Sequence, residues 1–186
     1  MESTPFLTGQ FLLAMPGIGD PRFERAVIAM CAHDDEGALG IGISDTIEGL
    51  GLHDLLRQFE IAPGDAPDTP VLFGGPVEPR RGFVLHAPDW GGQDTIDVAG
   101  RWALSGTIDV LRAIAEGKGP SRWLVALGYA GWGEGQLDEE LTRHGWFNTA
   151  GDVGLLYDVG ADDRWTQGFS GAGIDPRLLA HSTGTA

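Results

Sequence analysis

The chain reads as an α+β fold, and three observations lead there. Short apolar runs of strand length mix with a few helix-period stretches, without the regular strand–helix–strand alternation of a doubly wound sheet. Thirty of the 186 residues are glycine, more than twice the usual share of about 7%. They punctuate the apolar runs and form no repeat, so they predict tight turns and close backbone approaches. The composition is 42% hydrophobic with six tryptophans, and a chain of this length buries a core as one domain, residues 1–186.

Gln10 to Met15 is a short apolar run ended by Pro16 and Gly17, a buried strand. Asp20-Pro21 predicts one helical turn, with Asp as cap and Pro in the first position. The runs 26–32 and 38–43 flank Asp34-Asp35-Glu36-Gly37, the pattern of a β-hairpin with Gly in its turn. Gly40 and Gly42 alternate with large residues, which predicts a chain segment or a ligand packed closely over them. From Gly51 the period changes: Leu52, Leu55, Leu56 and Phe59 share one helical face, with Pro63 ending the helix and a surface loop over 62–70.

Val71-Leu72-Phe73 and Gly82 to His86 are the next strands, joined around Gly74-Gly75-Pro76. Strands near 95–99 and 102–104 follow, and then a helix through Ile108, Val110, Leu111 and Ile114. Thr107 or Ser105 is its cap, and Gly117 and Gly119-Pro120 close it. Trp123 to Tyr129 reads as the central strand, running into Gly131-Trp132-Gly133-Glu134-Gly135 and a helix over 136–144. Gly154 to Tyr157 is read as a last strand, and Asp175-Pro176 starts a short C-terminal helix on Leu178 and Leu179.

The formal charge of −15, with one lysine (Lys118) and scattered arginines, opposes direct nucleic-acid binding, whose affinity comes from cations neutralising phosphates. Gly117-Lys118-Gly119 lacks the hydroxyl residue of a P-loop. The lone Cys31 forms no internal disulfide, the N-terminus lacks a basic signal region, and no apolar run reaches membrane length. The expectation is a cytoplasmic protein with no membrane association.

Several phrases together resemble the bacterial AlgH/YqgE family. They are Phe11-Leu12-Leu13-Ala14-Met15-Pro16, Cys31-Ala32-His33 with Glu36-Gly37-Ala38-Leu39-Gly40, Gly74-Gly75-Pro76-Val77 with Arg81-Gly82-Phe83-Val84-Leu85-His86, and above all Ala126-Leu127-Gly128-Tyr129-Ala130-Gly131-Trp132-Gly133-Glu134-Gly135-Gln136-Leu137. Asp163-Arg164-Trp165 and Gly173-Ile174-Asp175 complete the order. The resemblance implies a single α+β domain whose bent, partly split β-sheet closes toward a barrel with helices packed outside, in bacterial cytosol. It brings no assigned biochemical activity. Members are sometimes described as transcriptional regulators, a mechanism that the acidic charge opposes here if it requires promoter binding. The chain departs from the family pattern at Ser44-Asp45-Thr46 and at His144-Gly145-Trp146.

Candidate sites follow from residue types. The Gly131–Gly135 loop offers backbone amides to an anion, but Glu134, Asp138, Glu139 and Glu140 would repel phosphate, so it predicts a turn presenting an exposed Trp132 to a partner or a neutral or cationic ligand. Cys31 and His33, two apart in a strand, share a face, and His86 ends another strand. That trio is the candidate for a Cys–His nucleophile or a metal, yet it lacks the doubled ligand pairs of zinc sites. Gly168 to Ala172 misses the serine-hydrolase elbow and is read as a loop, and Asp152, Asp158, Asp162 and Asp163 do not match a calcium loop. The leading expectation is therefore a non-enzymatic binding or regulatory protein with no cofactor and no metal. It would act through a protein partner or small molecule at Gly74, Gly75, Pro76, His86, Tyr129, Gly131, Trp132, Gly133 and Gln136. The alternative is a hydrolase using Cys31 with His86 and His33, and the third reading is a DNA-binding regulator.

Overall fold

A computed structural model describes residues 6–16, 24–106, 108–143 and 145–183, with side chains to 179. The helical turn expected at Asp20-Pro21 and the Thr107 cap lie outside the described residues. The elements are β1 (Phe11–Ala14), β2 (Val27–Asp34), β3 (Gly37–Gly42), β4 (Thr46–Gly51), α1 (Leu52–Gln58), β5 (Pro70–Phe73), β6 (Val77–His86), β7 (Ile96–Val98) and β8 (Trp102–Ser105). They continue with α2 (Ile108–Ala115), β9 (Trp123–Trp132), α3 (Gln136–Thr142), β10 (Trp146–Thr149), α4 (Gly154–Tyr157), a 3-10 turn (Ala161–Asp163), α5 (Arg164–Gly171) and α6 (Pro176–Thr183).

The sheet runs in the order β10-β1-β2-β3-β9-β6-β8-β7, with β4 and β5 off this path. Every pair is antiparallel except β5 with β9. The central strand is β9, as expected. One of its edges carries β6, and the other carries β5 at Ala126–Leu127 and β3 at Ala130–Trp132. The sheet is thus split along one side of β9, in keeping with the bent, partly split sheet of the expectation.

It bends toward a barrel without closing. Phe11 of β1 packs on Trp102 of β8 with ring centroids 5.3 Å apart. Across the remaining gap the Arg101 guanidinium donates to the carbonyls of Gly9, Ala150 and Gly151. Inside lies the first core: Phe11, Leu13, Val27, Ile41, Leu72, Phe83, Leu85 and Trp102, joined by Leu155, Leu156 and Phe169 from α4 and α5. Two outer layers cover the convex faces. α1 and α2 pack on Val84 and Val125, and α3 with Trp132 and Trp146 packs on Leu12, Ile28 and Met30.

Local chemistry accounts for the elements. The 27–42 hairpin forms as predicted, Asp34 accepting the Glu36 N–H at 2.8 Å in its turn. The segment expected over Gly42 is the chain itself, since Gly42 donates to the Gly74 carbonyl at 2.7 Å. α1 ends at Gln58, before Pro63, because Glu60 adopts a left-handed φ of 60°. α2 closes at Gly117 (φ 74°), with Lys118 N–H donating to Ala113 at 2.8 Å.

Three expectations are corrected. Gly154–Tyr157 is the helix α4, where a strand was predicted. Asp152 accepts the Gly154 N–H at 2.9 Å and starts a turn that sends both leucines into the core, and four apolar residues carry no period that separates the two states. Residues 168–171 belong to α5, not to a loop. Ser105 ends β8 with its hydroxyl engaged elsewhere, so it does not cap α2.

Candidate functional site

Cys31, His33 and His86 do not meet. A β-bulge between Met30 and Ala32 sets Cys31 out of register, so strand parity fails there. Cys31 faces the inner core, while His33 turns to the outer face, where its Nδ1 accepts the Leu7 N–H at 2.9 Å and its Nε2 lies 3.4 Å from Asp138. Burial pushes the Cys31 thiol up to about 12, against a smaller opposing effect of the Trp102 indole, and the thiol's hydrogen bond is a 3.6 Å contact to the Ala29 carbonyl. His86 is fully buried beside Trp90, ring centroids 5.7 Å apart, with both ring nitrogens committed. A buried thiol held protonated, with no imidazole beside it, is a packing residue. Among the described residues no group of three or more His, Cys, Asp or Glu is placed to hold a metal ion.

The expected ligand surface is also rearranged. Trp132 is the last residue of β9 and 7% exposed, not displayed on a loop. Its indole N–H and that of Trp146 donate to one oxygen, Glu140 Oε1, at 3.1 and 2.9 Å, while Gln136 donates to Oε2 at 3.0 Å. Gly74 and Gly75 are buried because the β5–β6 link crosses the face of β9 at this point. A Cβ on Gly74 would strike the Gly128 carbonyl, and one on Gly75 would strike the Tyr129 backbone. Gly128 itself has φ 77°, available to glycine with little penalty. Pro76 and Tyr129 are half-buried, and Gly131, Gly133 and Gln136 are exposed. The glycines thus serve a backbone crossing, and His86 is fully buried away from that surface.

A different concavity emerges. Where the link returns, the six residues of β6 from Val77 to Gly82 span the three of β9 from Leu127 to Tyr129, and Glu78 takes φ 45°. The resulting bulge lifts Arg80 and Arg81 over a cavity of about 230 Å³ between the sheet and the two helices. Phe59, Phe83, Val84, Ile108, Leu111 and Val125 wall it, and Gly82, Ser105 and Gly106 complete the lining. Arg81 stacks over Phe83 at 5.0 Å and pairs with Glu78 at 3.4 Å. Arg80 is exposed and makes no hydrogen bond or ion pair to a described residue.

Beside that cavity runs a directed polar chain. His86 Nδ1 lies 2.8 Å from the Ala87 carbonyl, which only accepts, so Nδ1 carries the proton and Nε2 is the acceptor. Ser105 Oγ, 2.8 Å from Nε2, therefore donates to it, and Thr95 Oγ1, 2.8 Å from Ser105, donates in turn. Gly92 N–H donates to Thr95 at 2.7 Å. Burial lowers the His86 pKa, opposed by the bond to Ala87 and the charge of Asp89. Ser105 pairs with Val84 across the strands, so its side chain shares the face of Val84 and His86, toward the helices and the cavity. Ser105, Thr95, Arg80 and Arg81 were not among the sequence candidates. They are far apart in sequence, and only the pairing of β6 with β8 brings them together.

An incompletely closed barrel with helices outside, and with a small cation-rimmed cleft among its described residues, defines an α+β protein. The chain belongs to the AlgH-like family, whose model (DUF179) matches residues 11–177. It is 62% identical to a UPF0301 protein of Rhizorhabdus wittichii and 56% identical to one of Novosphingobium aromaticivorans, each over the full length of both chains. The solution structure of the AlgH protein from Pseudomonas aeruginosa is similar with a TM-score of 0.80 at 36% identity, covering 100% of this chain and 98% of that one. The crystal structure of protein DIP2367 from Corynebacterium diphtheriae shares the fold, with a TM-score of 0.76 at 19% identity over 97% and 94% of the two chains. Among the described residues no helix is long and apolar enough to cross a membrane.

Proposed function

We propose that this AlgH-like protein acts by binding a small molecule with an apolar body and one anionic group in the cleft between β6, β8 and α2. The observation that carries this reading is Arg80, a guanidinium without a described partner at the rim of an apolar-walled cavity. The volume of about 230 Å³ lies just below the usual ligand-pocket range of about 300–1,000 Å³, which favours a short-chain carboxylate over a nucleotide. A carboxylate also suits a protein of charge −15 only where cations are placed locally, as Arg80 and Arg81 are. The reading keeps the expectation of a cytoplasmic binding or regulatory protein and moves its site away from the buried Trp132.

Titration with hexanoate, followed by amide shifts in an NMR spectrum, tests it. Shifts centred on Gly82 and Gly106 are expected, weakened by up to about five-fold in Arg80→Ala, the worth of one exposed ion pair. An absence of shifts up to millimolar hexanoate would overturn the assignment.

A further inference from the structure

We propose that Ser105 is a nucleophile, with His86 as its base, and that a carboxylic ester bound in the cleft acylates it. This rests on the cleft being the ligand site and adds what happens to the ligand there. The geometry supplies the parts in order. Ser105 Oγ is 2.8 Å from His86 Nε2, and the bond of Nδ1 to the Ala87 carbonyl fixes the tautomer that leaves Nε2 free to accept a proton. The Thr95 hydroxyl, itself anchored by Gly92 N–H, donates to Ser105 and so leaves the serine proton directed only at His86. Burial lowers the His86 pKa, and the bond to the Ala87 carbonyl and the charge of Asp89 oppose it in part. Ser105 lines the cavity that Arg80 and Arg81 share, and these are the cations available to an oxyanion.

The step balances. Ser105 Oγ bonds to the ester carbonyl carbon as its proton passes to His86 Nε2. Collapse of the tetrahedral species breaks the carbon–oxygen bond to the alcohol, which leaves with that proton. Ser105 and His86 are 1% and 0% exposed, so the reacting ester must reach the inner end of the cleft, which suits a short acyl chain.

The experiment is incubation of the intact protein with p-nitrophenyl hexanoate, read by nitrophenolate release, intact mass and peptide mapping. The expected result is one hexanoyl group per chain, mapped to Ser105, lost in Ser105→Ala. In His86→Gln acylation should slow about a hundredfold or more, the usual worth of a general base. Mapping on the unaltered chain does not depend on any variant folding. No adduct, or an adduct on another residue, overturns the proposal. If hexanoate shifts the Gly82 and Gly106 amides and the ester leaves no adduct, the chemistry falls and the binding site stands. If neither occurs, both fall.

Discussion

Replacing Glu140 tests the outer core around α3 with a magnitude taken from its hydrogen bonds. One carboxylate oxygen accepts two indole N–H groups, from Trp132 and Trp146, which are 7% and 4% exposed. Their rings pack edge to face with centroids 6.2 Å apart, and both belong to the core beneath α3. In Glu140→Ala both donors lose this acceptor, and at about 1–3 kcal/mol for each buried group left unsatisfied the expected loss is about 2–6 kcal/mol. Glu140→Gln keeps a carbonyl oxygen in nearly the same place. It exchanges two charge-assisted bonds for neutral ones, and its expected loss is about 1–3 kcal/mol. Urea unfolding followed by tryptophan fluorescence measures both, with the denaturant slope showing whether the unfolding transition is otherwise unchanged. If Glu140→Ala falls within about 0.5 kcal/mol of the parent, the range of an ordinary surface substitution, the carboxylate does not hold the tryptophan pair.

Two more outcomes are expected. Arg164 is 5% exposed and donates to the carbonyls of Leu155, Ile43 and Leu156 at 3.0, 2.5 and 2.7 Å. Arg164→Met should therefore cost about 3 kcal/mol or more in thermal or denaturant unfolding, without rescue by Lys, whose single ammonium cannot span the three acceptors; an unchanged transition would remove its clamping role. Cys31, with its thiol pushed up to about 12 by burial, should resist a maleimide or disulfide reagent at neutral pH and react only on unfolding, whereas fast labelling of the folded chain would restore it as a reactive thiol.

What could be read from the sequence was local. The 27–42 hairpin, the Leu52–Phe59 face, the glycine closing α2 and the central strand each declare themselves within a few residues, and the structure has them all. Misreadings arose where one residue of irregularity changes every later side chain. The bulge at Cys31 separates it from His33, and the left-handed Gly128 lets the β5–β6 link cross β9, so that Gly74 and Gly75 look like a ligand cradle while accommodating backbone. β10 went unread because Trp146-Phe147-Asn148-Thr149 lacks strict alternation and gains its strand character by pairing with β1. The Ser105–His86 contact joins two strand positions that no local pattern links.

The crossing at Gly74–Gly75 also bears on how the chain must assemble during synthesis. β5 and β6 emerge early and one after the other, yet they do not pair with each other; they flank β9, a strand made much later. Until β9 leaves the ribosome, both present unpaired edges, and its arrival must fill the slot beneath a link already made. Folding then waits on non-local pairing, of β9 and after it of β10 with β1, and zippering from the N-terminus stops at the β1–β3 meander. The interval before that pairing is when the exposed strand edges are open to aggregation and to chaperone capture.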